Sequence, residues 1–195
     1  MSGLLAACAV LASCTAGPSE PPATDPPPAG ALLPVPGGAV DPEDRSAAPI
    51  GLTPDCAARL ALHCPEGAPH AGTLARAALR ELHEETGLQI TSPLPGDLRF
   101  VFRAITPPGR TRRFDARFFL VDAEALQSDA DDFSAASDEL SHLQWVPLDE
   151  ARRFDMPFIT EVVLAESLDR FSRDQEHIAG FFKQAQFAGV KIVTL

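Results

Sequence analysis

The sequence predicts an α/β or α+β sandwich around a single core. Three observations predict it. Residues 53–65 and 73–87 carry the caps, stops and apolar spacing of helices, whereas from Leu98 the apolar period changes to two. A chain of 195 residues that is 45% hydrophobic also has enough for one core of ordinary size and not for two. The net charge of -11, from 27 acidic and 16 basic residues, argues against a nucleic-acid partner, because such proteins present a basic face to phosphates. An anionic substrate would need a divalent cation to bring it in. No apolar run reaches the roughly 20 residues of a transmembrane helix.

The chain is lopsided. All twelve Phe lie between Phe100 and Phe187, the single Trp is Trp145, and eleven of the 19 Pro fall at or before Pro54. Residues 15–31 have the composition of a solvated linker, so residues 1–31 are read as a disordered or signal-like N-terminus and 32–195 as the folded domain. Residues 3–13 followed by Cys14 look like a lipoprotein signal with a lipidation box. The missing Lys or Arg ahead of the apolar run favours instead a non-native or wrongly started N-terminus. Cytoplasmic localisation is the expectation, with membrane anchoring through Cys14 as the alternative. Cys56 and Cys64 read as small apolar helix residues rather than zinc ligands alongside His63 and His70.

Thr53 is the expected N-cap of a first helix, with Pro54 at its first position and Pro65 as its stop. A second helix is expected to begin after Gly72, capped by Thr73, and to end at Gly87, a C′ glycine. Leu74, Ala78 and Leu82 mark its buried stripe, with Leu79 beside it. Residues 98–105 and 113–122 are expected strands, separated by the Pro107-Pro108-Gly109 turn. An acidic loop follows at 128–138, then a strand near 140–146, a helix with Pro157 in its first turn, and a C-terminal hairpin or pair of short strands.

Chemistry concentrates in residues 80–88, Arg-Glu-Leu-His-Glu-Glu-Thr-Gly-Leu. On a helix, Glu81, Glu84 and Glu85 fall on one face while Leu79 and Leu82 turn inward. Three carboxylates so placed repel one another, and a cation relieves the repulsion; oxygen donors select Mg²⁺ or Mn²⁺. Arg80, four residues before Glu84, can hold one carboxylate in place. A solvated acidic face is the bland alternative. At average residue usage, a match to all seven constrained positions arises by chance on the order of once in 10⁷ windows.

These nine residues resemble the second half of the Nudix box, R-E-U-x-E-E-x-G-U. The first half does not precede them directly, since Glu66 and Gly72 stand where the family has its glycine and its acid. It resembles instead residues 36–44, with Gly38 as the box glycine, Gly37 beside it and Asp44 in the acidic position. Residues 45–71 are then an insertion within the box, as in relatives of the coenzyme A diphosphatases, and loop closure makes such an insertion cheap.

The resemblance implies an α/β/α sandwich with a mixed sheet, in which the strands that the family places before the Gly-Gly loop are absent or replaced. It implies a metal-dependent hydrolase that cleaves a diphosphate bond in a nucleoside diphosphate linked to another moiety. Glu81, Glu84 and Glu85 would be the metal ligands for Mg²⁺ or Mn²⁺. The catalytic set would be Glu84, Glu85, Arg80 and Glu139, with Glu84, Glu85 or Glu139 accepting the proton. Gly37, Gly38, Asp44, Arg112 and Arg113 would bind substrate, the last two through phosphate oxygens, although those arginines read equally well as a solvated basic loop. The implied partner is a small nucleoside diphosphate derivative, with a homodimer as the assembly that relatives often form. The alternatives are a non-catalytic Nudix-like binding module, a coenzyme A diphosphatase, and an unrelated lipoprotein.

Overall fold

The computed structural model describes residues 5–12, 36–45, 50–106, 114–138, 143, 145, 160–162 and 191–193. Strands β1 (Leu5–Ala12), β2 (Leu98–Ile105), β3 (Asp115–Asp122) and β4 (Lys191–Val193) form one sheet in the order β1-β3-β2-β4. Helices α1 (Pro54–Ala61) and α2 (Ala71–Thr86) pack with its central strands. Among the described residues, no helix is long and apolar enough to cross a membrane.

Local chemistry sets the helix ends. Thr53 is extended, and its hydroxyl accepts a hydrogen bond from the Cys56 backbone N–H at 3.2 Å, as its cap position requires. The helix stops at Ala61, short of Pro65, because His63 turns into the left-handed region at φ 54°. The His63 carbonyl then accepts from Arg103 Nη1 at 3.1 Å. At the other end of the insertion, the Gly51 carbonyl accepts from the backbone of Gly96 (2.9 Å) and Leu98 (3.1 Å). Residues 45–71 are therefore more than a tolerated loop. They place Leu52, Cys56 and Leu60 in the core and tie both ends of α1 to β2.

α2 starts at Ala71, three residues earlier than a Thr73 cap would place it. Thr73 has the side chain of a cap, but it is buried within the first turn, and His70 takes the cap position without a side-chain bond. Tertiary packing outweighs the local preference here. The other end falls as expected: Gly87 is left-handed at φ 77°, and its N–H donates to the His83 carbonyl at 2.8 Å. Leu74, Ala78 and Leu82 are at most 1% exposed and pack with Leu98, Phe100, Phe119 and Val121 of the sheet.

β2 and β3 occupy the expected stretches, but their register shifts between Phe100 and Phe102. Phe100 faces Phe119, with ring centroids 6.0 Å apart, while Phe102 stacks on Phe118 at 4.8 Å. Successive residues of β3 point to opposite faces, so the irregularity lets β2 supply an aromatic to each side of the sheet. The same strands carry a buried charge cluster, with Arg103 bonded to both Asp115 oxygens at 2.6 Å and Arg117 Nη1 3.0 Å from Asp115 Oδ2. Cys64 packs against this cluster, its Sγ 3.7 Å from both guanidinium groups.

The sheet is antiparallel in each of its three described pairs. The short β2–β3 connection suits antiparallel pairing, whereas a parallel pair needs a long crossover. The segment placed outside the domain also supplies a strand: β1 pairs with β3 over eight residues, from Leu5 opposite Asp122 to Ala12 opposite Asp115. Its run of small and branched apolar residues reads equally well as a signal core or a strand. In the sheet, it covers an edge that β3 would otherwise expose. The 107–109 turn, Arg112, Arg113 and Glu139 lie outside the described residues. So do the strand near 140–146 apart from Leu143 and Trp145, and the helix after Pro157 apart from its turn at 160–162.

Candidate active site

The last two turns of α2 present the acids at two depths. Glu81 and Glu85 are buried at 8% exposure, Leu82 lies beneath them in the core, and Glu84 reaches outward. The Gly37–Gly38 bend lies directly against the buried pair. The Gly37 N–H donates to Glu85 Oε2 at 2.9 Å, across 48 positions of sequence. At Gly38, a Cβ would stand 2.3–2.5 Å from the Glu81 carboxylate, so only glycine leaves room for that acid where it is.

Arg80 joins the two halves. Its Nε donates to Asp44 Oδ1 at 3.1 Å and its Nη2 to Asp44 Oδ2 at 3.0 Å, while Nη2 also reaches the Ala39 carbonyl at 2.9 Å. Nη1 lies 2.8 Å from Glu81 Oε1 and 2.8 Å from Glu84 Oε2. Asp44 is only 2% exposed, and its Oδ2 also accepts from the Asp41 N–H at 2.8 Å, closing the short 3-10 turn Pro42–Asp44. The sequence singles out Asp44 but gives Asp41 no role. Asp41 caps this turn and stands 3.7 Å from Arg80, and an acid three residues before another is the pattern that signals such a turn.

The electrostatics follow from these contacts. Hydrogen bonds donated to Asp44 hold the Arg80 pKa above its ordinary value; burial opposes this, and Glu84 and Glu81 add to it. Burial pushes the Glu81 carboxyl above its usual range, and neighbouring Arg80 only partly offsets the shift. Among the described residues, no three acidic, His or Cys side chains already stand together as a ligand cage. Glu81 and Glu84 are turned onto Arg80, and Glu85 is turned onto Gly37.

A family model described as the NUDIX domain matches residues 61–167, more than half of the chain. The chain belongs to the Nudix family. The matched stretch contains the Arg80–Leu88 half of the box and begins after the Gly37–Asp44 half. The earlier half thus rests on its contacts with α2 rather than on the family match. Neither the curated proteins nor the solved structures compared with the chain give a match. The structure brings together Gly37, Gly38, Asp44, Arg80, Glu81, Glu84 and Glu85.

Proposed function

We propose that this Nudix protein is a pyrophosphohydrolase that uses Mg²⁺ or Mn²⁺ to cleave a diphosphate bond in a nucleoside diphosphate linked to another group. Nudix proteins generally hydrolyse diphosphate bonds with such metals, and one observation carries the reading to this chain. Its two half-boxes close on each other through Gly37 and Glu85, with Gly38 against Glu81.

The residues fit a hard dication. Glu81, Glu84 and Glu85 offer only oxygen donors, the Gly38 cradle leaves Glu81 space, and the buried Glu81 anion gains from a nearby cation. When bound, the metal neutralises charge on phosphate oxygens and lowers the pKa of a coordinated water. Glu84, the exposed member, would be the one placed to accept a proton from solvent at the site. Asp44 is enclosed and engaged on both oxygens, so its role is to hold Arg80 rather than to touch substrate. The Gly37–Gly38 backbone lies against the acids without side chains, which lets a diphosphate approach them closely.

Gly38→Ala separates site geometry from stability. The new methyl meets the far end of a flexible side chain, so the fold is expected to lose less than about 1 kcal/mol while cation affinity falls about tenfold. Urea unfolding and Mn²⁺ titration followed by electron paramagnetic resonance measure the two effects. Unchanged affinity would detach Gly38 from the site.

Acidity gives a second handle. Burial favours protonated Glu81, so its contribution to the stability of the metal-free fold is present at acid pH and lost as pH rises through the raised pKa. Cation binding needs the anion. Mn²⁺ affinity is therefore expected to climb with pH through that raised value and then level off, and Glu81→Gln is expected to flatten the climb. The same slope in both proteins would remove Glu81 from the ligand set.

The activity itself is tested with Mg²⁺ and a panel of diphosphate-linked nucleotides that differ in the second group. Hydrolysis yielding two monophosphate products is expected for at least one of them. Thermal stabilisation by Mg²⁺ without turnover of any would make the chain a binding module instead.

A further inference from the structure

The Arg80 guanidinium has two edges with different partners. Nε and Nη2 are fixed to buried Asp44 and to the Ala39 carbonyl, whereas Nη1 bridges Glu81 and Glu84 at 2.8 Å from each. Glu81, Glu84 and Glu85 fall within little more than one turn of α2, where like charges repel. Nη1 supplies a positive charge that two of them share. An N–H pointed at a carboxylate oxygen at this distance takes up lone-pair space that a dication at about 2.1 Å would need.

We propose that the Nη1 edge of Arg80 is an internal stand-in for the metal, and that the cation enters by exchange. Glu81 and Glu84 let go of Nη1, while the Asp44 edge stays in place. The inference rests on the metal-binding reading above. It reverses the sign expected of an arginine that merely steadies a ligand, which would raise metal affinity. A competing guanidinium lowers it. Arg80 is thus a positioning residue that stabilises the empty site and sets how tightly the cation is held. Asp44 keeps the displaced group within reach, so the exchange reverses when the cation leaves.

The test uses the full chain and Mn²⁺ alone, with affinity read by electron paramagnetic resonance. Arg80→Lys keeps a charge for Asp44 but loses the fork that bridges the acids. A double variant, Arg80→Gln with Asp44→Asn, removes the guanidinium without leaving Asp44 charged and unpaired. Both are expected to bind Mn²⁺ about three- to tenfold more tightly than wild type, with a lower Tm in the absence of metal. Equal or weaker binding by variants with a wild-type circular dichroism spectrum would overturn the exchange.

A measurement on the wild type does not depend on the variants folding. In nuclear magnetic resonance spectra, Mg²⁺ is expected to shift or broaden the Nη1 signals of Arg80 and to leave the Nε–H held by Asp44 in place. Unchanged Nη1 signals at saturating Mg²⁺ would overturn the exchange and spare the metal site. Failure of the wild type to bind Mn²⁺ or Mg²⁺ would overturn both.

Discussion

Glu85→Gln is expected to lower turnover by about 10³-fold while leaving the chain folded. The substitution preserves shape at a position only 8% exposed, and the new amide oxygen can still accept the Gly37 N–H that Glu85 Oε2 accepts at 2.9 Å. What it removes is the negative charge. If the acids of α2 hold a dication, the loss falls on the chemical step and on metal affinity rather than on the fold. Rates with saturating Mg²⁺, compared with circular dichroism spectra of both proteins, separate these effects. A variant within about threefold of wild type would exclude Glu85 from the reaction.

Asp44→Ala is expected to be the most damaging change to stability in the site, at about 2–4 kcal/mol. Removing one partner of a buried ion pair typically costs about 3–5 kcal/mol, and partial exposure of Arg80 moves the figure down. The substitution strips Arg80 of its two-point partner and leaves the Asp41 N–H without its 2.8 Å acceptor. It also frees the whole guanidinium, still charged, to pair with Glu81 and Glu84, so metal affinity should fall along with stability. Urea unfolding gives the first quantity and Mn²⁺ titration the second. A loss below about 1 kcal/mol with unchanged affinity would mean that the halves are held together by something else.

Local pattern made much of this legible in the sequence. The Thr53 cap, the left-handed Gly87, the stripe through Leu74, Ala78 and Leu82, and strands β2 and β3 each follow from chemistry within a few residues. The pairing of Glu84 with Arg80 was readable for the same reason, as helix positions one turn apart meet.

What escaped depends on contacts distant in sequence. Thr73 looks like a cap and is buried instead, because α1 and the sheet fix where α2 begins. β1 is eight apolar residues without a helical or alternating signature, and its partner β3 is more than a hundred residues away. The grip of Asp44 on Arg80 spans 36 positions, so the sequence identifies the acid without revealing that Arg80 consumes both of its oxygens. The core role of the insertion was hidden likewise, since Leu52 and Leu60 carry no sign that β2 will lie beneath them.

The most direct measurement is anomalous scattering from crystals of the wild-type chain grown with Mn²⁺. The expected result is a peak about 2.1 Å from carboxylate oxygens of the Glu81, Glu84 and Glu85 set, beside the Gly37–Gly38 bend. A map from Mn²⁺-saturated crystals with no peak at these acids would contradict the site.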